Sequence, residues 1–163
     1  MRRTDREVTS FDEITEILQR SDTIRLGLNG DPYPYVVPLS FAFEAKDEAI
    51  TIYFHGAKAG LKHDLIARDA QVCVEADSFY GYDEAPGGIT TRYESFIGFG
   101  KASRVYGKEA VKGLDLLLVR SGYEGHPCNT EAALAATAVY KIELTFFTGK
   151  RNASSPASPP QST

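Results

Sequence analysis

A glycine-rich turn between a predicted strand and a predicted helix holds the residues best suited to chemistry in this sequence. It reads His55-Gly56-Ala57-Lys58-Ala59-Gly60-Leu61-Lys62. The first turn of a helix carries unpaired backbone N–H groups and the positive end of the helix dipole. Small residues let a ligand approach that backbone closely, and the two lysines add positive charge. These features are typical of a phosphate site, but the residues alone fit an ordinary tight turn with solvated lysines equally well.

The spacing excludes two familiar nucleotide-binding motifs. A Walker A loop needs a longer gap between its glycines, followed directly by Lys and Ser or Thr. Here the gap from Gly56 to Gly60 is one residue too short, and Leu61 follows. An ATPase or GTPase is therefore not expected. The Gly98-Phe99-Gly100 segment lies within a strand pattern rather than between a strand and a helix, so it is not a Rossmann fingerprint.

Two further segments have unusual strand chemistry. Val37-Pro38-Leu39-Ser40-Phe41 has a proline in a strand pattern, and proline belongs at a sheet edge or bulge because it donates no ladder hydrogen bond. A bulge would leave backbone groups free for a flat ligand, while a simple edge strand explains the proline equally well. Arg92-Tyr93-Glu94-Ser95-Phe96 begins a long predicted strand, and its composition favours a solvent-facing strand end.

Histidine and cysteine spacing predicts no metal site. The three histidines are far apart, and the chain has neither a His-x-x-x-His nor a Cys-x-x-Cys motif. Cys73 lies in an apolar strand-like run and is expected to be a small core residue. Cys128 lies in a Gly/Pro-rich loop. We expect neither cysteine to be catalytic.

Hydrophobic periodicity predicts the elements that position these segments. Ser10 and Glu13 form a capping box, and an apolar stripe at helical spacing follows at Phe11, Ile14, Ile17 and Leu18. Further helices are predicted over residues 59–67 and 108–119. Period-two alternation predicts six strands, near residues 24–28, 35–43, 50–54, 72–76, 92–105 and 138–146.

The connecting segments complete the expected architecture. Residues 79–90 contain adjacent glycines, a proline and acidic residues, which predicts a mobile surface loop. A second loop is expected over residues 121–130 and a helical turn over 132–136. The Ser/Pro-rich residues 152–163 predict a disordered tail after a single domain over residues 1–151. Most connections are hairpin-length, which predicts a mainly β, antiparallel six-stranded barrel or curled sheet with peripheral helices.

Composition narrows the function classes. The chain has 163 residues, a formal net charge of −4 and no long basic run, so a general nucleic-acid binder is not expected. No apolar stretch is long enough to span a membrane, and no signal peptide pattern follows Met1-Arg2-Arg3. We therefore expect a cytoplasmic protein.

The motifs together resemble the pyridoxamine-5′-phosphate-oxidase-like flavin proteins, and within them the branch related to nitroimidazole-resistance proteins. The resemblance covers about residues 1 to 151. The matching pieces, in order, are Met1-Arg2-Arg3-Thr4-Asp5-Arg6-Glu7, Tyr35-Val36-Val37-Pro38-Leu39-Ser40-Phe41, Tyr53-Phe54 with the glycine-rich turn from His55 to Lys62, Tyr93-Glu94-Ser95-Phe96-Ile97-Gly98-Phe99-Gly100-Lys101-Ala102, and Thr148-Gly149-Lys150-Arg151.

The resemblance implies a split β-barrel of the FMN-binding type that forms a homodimer, with one FMN in each of two clefts at the subunit interface. The segment at residues 38–41 would lie along the isoalloxazine ring, and the turn would hold the phosphate and ribityl chain. Residues 93–95 would close the cleft from the partner subunit. The implied cofactor-binding residues are Pro38, Leu39, Ser40, Phe41, Tyr53, His55, Gly56, Ala57, Lys58, Lys62, Tyr93, Glu94 and Ser95.

The chain departs from that branch at three positions. The branch often has Asn in place of Ser40, Ser in place of Gly56 and Lys in place of Leu61. Loss of a hydroxyl and a charge at the turn would weaken FMN binding by about 1–3 kcal/mol if a charge-assisted hydrogen bond is lost.

The resulting hypothesis is an FMN-dependent oxidoreductase that reduces a small electrophile such as a nitroaromatic. His55 is the one titratable side chain in the turn whose usual pKa lies near neutrality. It could donate a proton to substrate or polarise a flavin oxygen, and a purely structural or phosphate-binding role is the alternative. Other hypotheses are a pyridoxamine phosphate oxidase proper, a deazaflavin F420 reductase, and a flavin- or haem-binding protein without turnover. The chain lacks the usual phosphate-binding arginine pattern and C-terminal tryptophan of the oxidase.

Overall fold

The structure is a computed structural model that describes residues 3–124 and 135–152. Cys128, most of the expected loop at 121–130, most of the expected helical turn at 132–136 and the tail after residue 152 lie outside the described residues. Within the described part, eight strands and three complete α-helices follow a short 3-10 turn, Thr4–Arg6. No helix among these residues is long and apolar enough to cross a membrane.

The helices lie where hydrophobic periodicity predicts them, whereas β6, β7 and β8 extend beyond the predicted strands. The helices are α1 Phe11–Arg20, α2 Leu61–Arg68 and α3 Gly107–Arg120. The strands are β1 Glu7–Val8, β2 Ile24–Leu28, β3 Tyr35–Leu39, β4 Ala42–Lys46, β5 Ala49–Ala57, β6 Gln71–Ala85, β7 Gly88–Val105 and β8 Thr137–Asn152.

One antiparallel sheet contains all eight strands. Its order is β3-β2-β6-β7-β8-β5-β4, and β1 pairs with β8. The edge strands β3 and β4 are separated in sequence only by Ser40 and Phe41. Because consecutive Cα atoms are about 3.8 Å apart, this link spans at most about 11 Å. The sheet must therefore curl until its two edges approach each other, and no ladder joins β3 to β4 in the described residues.

The predicted fold class is confirmed: the protein is a mainly β, antiparallel split barrel with peripheral helices. The strand number is eight rather than six for two reasons. The expected strand at 35–43 is two strands, because the chain crosses from the β2 edge to the β5 edge at Ser40 and Phe41. The two-residue strand β1 adds one more.

The expected mobile loop at residues 79–90 is wrong. β6 and β7 continue as a paired hairpin as far as Ala85 and Gly88. Gly87 and Gly88 have positive φ angles of 85° and 155°, so the glycines make a tight turn at the hairpin tip. The acidic residues stand on exposed strands rather than in an irregular loop.

The core lies between the curled sheet and its helices. The capping box begins α1 as expected, with the Ser10 hydroxyl accepting from the Glu13 N–H at 3.5 Å. The apolar stripe of α1 approaches β8 so closely that a Cβ at Gly149 would lie 2.9 Å from Ile14 Cγ1. Alternation in β5 is confirmed, since its inward-facing residues, Ile50, Ile52 and Phe54, are at most 1% exposed.

Candidate functional site

The glycine-rich turn joins β5 to α2 and leaves the helix N-terminus open. Gly60 is the N-cap, with a φ of 131°, and no side chain caps the helix. The Gly60 carbonyl accepts from the N–H of His63 at 2.9 Å. The N–H groups of Leu61 and Lys62 have no backbone acceptor among the described residues. Two donors at the positive end of the helix dipole are thus available to an anion.

Lys62 reaches back over the start of the turn. A Cβ built on Gly56 would lie 2.6 Å from Lys62 Nζ, so the absence of a side chain at residue 56 makes room for the ammonium group. Lys58 is exposed on the same turn. Neither lysine forms an ion pair with a carboxylate in the described part of the chain. No carboxylate among the described residues therefore neutralises their charges.

His55 is exposed at the end of β5, where it pairs with Val139. Its pKa is lowered, first by desolvation among neighbouring protein atoms and second by the Lys62 ammonium. Solvent at the exposed ring screens the second effect. A lowered pKa keeps the imidazole mainly neutral at pH 7, where it can accept or donate a hydrogen bond.

Tyr53 contributes only its main chain to the turn region. Its side chain is 2% exposed and packs under α3, where a Cβ at Gly113 would lie 2.9 Å from the ring. The hydroxyl donates to Glu109 at 2.7 Å and lies 3.2 Å from Glu44. Burial and these carboxylates raise the pKa of Tyr53, so the phenol is a buried structural donor.

The crossover at Ser40 and Phe41 lies beside the end of β5, because the next residue, Ala42, pairs with Tyr53. Ser40 is exposed, whereas Phe41 is buried. The structure therefore brings this part of the predicted ring-binding segment close to the turn. Pro38 is further along, exposed on β3 opposite Arg25.

Arg120 holds the crossover in place and was not found from the sequence. Its guanidinium lies 4.3 Å from the centre of the Phe41 ring. It also donates to the carbonyls of Leu18 at 2.9 Å and Ser21 at 2.5 Å, at the end of α1. An Arg in the last turn of α3 is an ordinary helix-ending residue, so no spacing in the sequence indicates this contact.

The segment at residues 93–95 lies far from the turn within one chain. Val105 on β7 pairs with Val139 on β8, and Val139 pairs with His55. Tyr93 lies twelve residues before Val105 on β7, about 40 Å along the strand at ~3.3 Å per residue. A single chain therefore does not unite the two segments. Tyr93 is partly exposed, with Lys150 Nζ 5.6 Å from its ring centre.

Glu94 is buried in an ion-pair network, so the expectation of a solvent-facing strand end is wrong at this residue. It is 0% exposed. It accepts from Arg20 at 2.7 and 2.8 Å, from Arg151 at 2.7 Å and from the Tyr80 hydroxyl at 2.5 Å. Burial raises its pKa, but these donors outweigh burial and the net pKa is lowered. The carboxylate ties α1 to three strands.

His63 anchors α2 to the sheet and was also not found from the sequence. Its Nδ1 lies 2.6 Å from the Tyr140 hydroxyl on β8. The Tyr140 ring stacks on Phe54 at 5.1 Å, one residue before His55. The contact fixes the N-terminal turn of α2 against β5, because His63 follows Lys62 directly.

The residues at the turn fit a phosphate monoester. In the described residues, two amides at the start of α2 have no backbone acceptor, the Lys62 ammonium lies over Gly56, and Lys58 is exposed on the same turn. The crossover beside it offers an exposed edge for a planar group. Ser95 and Tyr93 can join this arrangement only from a second copy of the chain.

Solved structures share this fold. A candidate 5-nitroimidazole antibiotic resistance protein from Bacteroides thetaiotaomicron is 24% identical, with a TM-score of 0.77, and the match covers 88% of this chain and 85% of that one. The flavocytochrome Anf3 from Azotobacter vinelandii is 17% identical, with a TM-score of 0.77 and coverage of 98% and 75%. An FAD and heme binding protein from Mycobacterium smegmatis is 21% identical, with a TM-score of 0.76 and coverage of 93% and 76%. At these identities the likeness shows the fold.

The sequence itself identifies the family. No curated protein matches the chain. The family model described as pyridoxamine 5′-phosphate oxidase matches residues 10–151, which include the crossover, the glycine-rich turn and nearly all of the sheet. The chain belongs to the pyridoxamine 5′-phosphate oxidase family.

Proposed function

We propose that this protein is a homodimeric, FMN-dependent oxidoreductase that reduces a small electrophile such as a nitroaromatic. The observation that carries the proposal is the uncapped N-terminus of α2 on the same turn as the Lys62 ammonium, which lies over Gly56. This pairing of free amides with an unneutralised cation suits the dianionic phosphate of FMN. Lys58 and the small residues at 56 and 57 complete the phosphate site.

The crossover supports a place for the isoalloxazine ring beside the phosphate site. Ser40 is exposed there, and Arg120 holds Phe41 from behind. A rigid edge of this kind orients a planar ring without closing over it. FMN, when bound, would supply the electron transfer. The protein residues would bind and orient the ring and transfer the proton to the substrate.

His55 is the residue we assign to proton transfer. It is exposed beside the proposed ring site, and its side chain has no fixed hydrogen-bond partner in the described residues. A general acid works best when its pKa lies near the operating pH, and the His55 imidazole, even with its pKa lowered, comes nearer to this condition than the lysines of the turn. In this role it donates a proton to the reduced substrate.

A second copy of the chain would complete the site. Ile97, Phe99 and Phe146 form an exposed apolar patch, here called the outer face, on β7 and β8, and the last two rings stack at 6.3 Å. Exposed apolar patches mark interaction surfaces. Phe99 lies midway between Tyr93 and Val105 along β7. A two-fold axis at Phe99 that runs the two β7 strands antiparallel would bring Tyr93 of the partner subunit toward the His55 end, alongside α3, which covers Val105 and Val139 there.

A flavin- or haem-binding protein without turnover is the second candidate. Two structural relatives are described as a flavocytochrome and as an FAD and heme binding protein. The exposed imidazole of His55 is a group that can bind haem iron. The nitroimidazole-resistance description of another relative favours the reductase.

An absorption spectrum of the purified protein separates these functions. We expect flavin bands that persist through gel filtration, and NAD(P)H oxidation that depends on a nitroaromatic acceptor from a panel. Free FMN at the same concentration is the control for uncatalysed reduction. A Soret band would favour haem, and a colourless protein that ignores added FMN would overturn the flavin proposal.

A further inference from the structure

We propose that the end of the β6–β7 hairpin closes over the flavin cleft of the opposite subunit. The arm, defined as residues 79–92, would line that cleft with the side chains of Phe79, Tyr82 and Ile89. This inference rests on the proposed flavin-binding dimer and extends it by naming a wall of the site. It gives a role to a segment that the phosphate turn and the crossover leave unused.

The arm projects beyond the rest of the sheet. Pairing of β2 with β6 stops at Glu75, and pairing of β8 with β7 stops at Tyr93. The two strands of the arm therefore have only each other as neighbours in the described residues. An isolated two-stranded hairpin is at best marginally stable in water. Its base is anchored by the Asn152 side chain, which donates to Thr90 and Thr91 at 2.9 and 2.5 Å, and by the Tyr80 hydroxyl, which donates to Glu94 at 2.5 Å.

One face of the arm is apolar and exposed. Phe79, Tyr82 and Ile89 are 57%, 64% and 73% exposed, and the Phe79 and Tyr82 rings meet edge to face at 5.3 Å. The ladder pairs Phe79 with Tyr93 and Glu84 with Ile89, so these side chains share the face on which Tyr93 stands. That face continues along β7 into the outer face at Ile97. A subunit packed on the outer face therefore meets the arm as well.

The arm has the reach to cover the partner's cleft. In the dimer proposed above, Tyr93 of one subunit meets the His55 end of the other. The arm continues past Tyr93 to its tip at Gly87 for about 20 Å, at ~3.3 Å per residue. The glycine-rich turn begins at His55 and continues in the same direction, since β5 ends at Ala57. The arm of one subunit would thus pass across the turn and the ring site of the other.

Charge supports the same contact. Glu84 is exposed on the apolar face of the arm, beside Ile89, and forms no ion pair in the described residues. Lys58 is exposed on the turn and likewise lacks a carboxylate partner. The proposed geometry brings these opposite charges to the same side of the cleft. Aromatic and aliphatic side chains would then shield the flavin from water and form a slot suited to flat aromatic substrates.

The first test replaces the apolar face of the arm. A Tyr82→Ser/Ile89→Ser variant should remain a dimer but bind FMN about tenfold more weakly, because apolar contact area with the flavin is lost. Iodide should quench the fluorescence of the bound flavin more strongly in this variant than in the wild type. The matched control, Tyr33→Ser/Val119→Ser, removes an exposed tyrosine and an exposed β-branched apolar side chain elsewhere and should change neither quantity. Unaltered FMN affinity and quenching in the arm variant would exclude the proposal.

A subunit-mixing experiment shows on which cleft the arm acts. Arm-variant chains, which keep Lys62, are unfolded and refolded with Lys62→Ala chains, which keep the arm. If the arm acts on the opposite subunit, each heterodimer contains one intact cleft and regains one site of wild-type FMN affinity. If it acts on its own chain, no intact cleft forms and no recovery occurs, which would overturn the inference. A wild-type protein that is monomeric or binds no FMN would instead refute the proposed function itself.

Discussion

At the scale of single residues, the proposed phosphate site depends on Lys62 and on the absence of a side chain at Gly56. Lys62 occupies the space that a side chain at Gly56 would fill. Lys62→Ala should therefore weaken FMN binding about tenfold, by loss of a charge-assisted contact. Gly56→Ala should give a smaller loss in the same direction, because the flexible lysine can move aside.

Riboflavin, which lacks the phosphate, is the internal reference for this pair. Fluorescence titration should show that neither variant changes riboflavin affinity. Lys46→Ala, an exposed lysine on β4, is the control for a general loss of positive charge. Unchanged FMN affinity in Lys62→Ala would remove this lysine from the site.

His55 should affect turnover more than binding. If it donates the proton, His55→Ala should lower kcat/KM for the nitroaromatic by about 10²-fold or more and FMN affinity by much less. Activity of the wild type should fall as pH rises through the lowered pKa of His55, since the acid form is lost there. His55→Gln keeps hydrogen bonding but cannot donate the proton, so it should behave like His55→Ala in turnover. Equal losses in turnover and binding would assign His55 to cofactor binding alone.

Glu94 should be essential for stability. Glu94→Gln leaves Arg20 and Arg151 partly unpaired around a buried site, which should cost about 3–5 kcal/mol in the free energy of unfolding. The exposed Glu16, which also pairs with Arg20, is the matched control. Glu16→Gln should cost less than about 1 kcal/mol. Urea unfolding at pH 7 measures both differences, and equal costs would show that the buried network does not stabilise the fold.

The same carboxylate gives the stability a defined pH dependence. The folded-state pKa of Glu94 is lowered, so its contribution is present above the unfolded value near ~4.3 and is lost as pH falls through the lower folded value. Wild-type stability should therefore drop on acidification from about pH 5. Glu94→Gln should show a shallower decline over the same interval.

At the scale of elements, the orientation of α2 decides where the free amides point. The hydrogen bond between His63 and Tyr140 fixes it. Tyr140→Phe leaves a buried ring nitrogen without its partner, which should cost about 1–3 kcal/mol and weaken FMN binding as the helix end shifts. Tyr106→Phe, at an exposed tyrosine, is the control. Thermal unfolding and FMN titration check the prediction, and a stability equal to the wild type would contradict it.

His63 also makes stability depend on pH near neutrality. Its pKa is lowered, first by burial and second by Lys62, while a backbone interaction with Ala57 opposes the shift. A lowered pKa in the folded state means that the unfolded chain binds more protons. The contribution of His63 to stability is therefore complete above about pH 6.5 and is lost as pH drops through the folded-state pKa. His63→Phe should remove this part of the decline while the Glu94 part remains at lower pH.

Elements were predictable from sequence where one face of each is buried. The stripe on α1 and the alternation in β5 gave correct elements, because burial on one side imposes the period directly. Residues 35–43 have continuous strand alternation even though the chain changes sheet edge at Ser40, since each half still faces the same core. The arm was missed because its glycines and acidic residues are typical of loops, while its pairing depends on a hairpin partner whose register composition does not specify.

At the scale of the whole molecule, the site residues that resemblance assigned fall into two groups at opposite ends of the sheet. The turn and the crossover meet within one chain, whereas Tyr93 and Ser95 lie far along β7. Periodicity predicts which face a residue occupies but not its distance from a residue on another strand. Register and curl set that distance, and both depend on the complete sheet. Periodicity likewise does not predict that the Tyr53 hydroxyl and the Glu94 carboxylate bind other protein groups in the interior rather than a ligand.

The dimer is therefore the feature on which the proposed function most depends. Phe99→Asp places a charge at the centre of the outer face, next to the exposed Phe146 ring, and burial of that charge at an interface is strongly unfavourable. The variant should be monomeric by analytical ultracentrifugation while its far-UV circular dichroism stays that of the wild type.

Because each cleft needs both subunits in the proposed dimer, the Phe99→Asp monomer should also lose FMN affinity, by an order of magnitude or more, although every residue of the turn is unchanged. Val119→Asp places the same charge on an exposed position of α3 and should alter neither mass nor affinity. A folded Phe99→Asp monomer that binds FMN as tightly as the wild type would show that the turn and crossover suffice within one chain. The separation of Tyr93 from His55 within one chain would then be irrelevant to FMN binding. Joint loss of the dimer and of FMN binding would instead indicate that the chain dimerises in order to bring these two segments together.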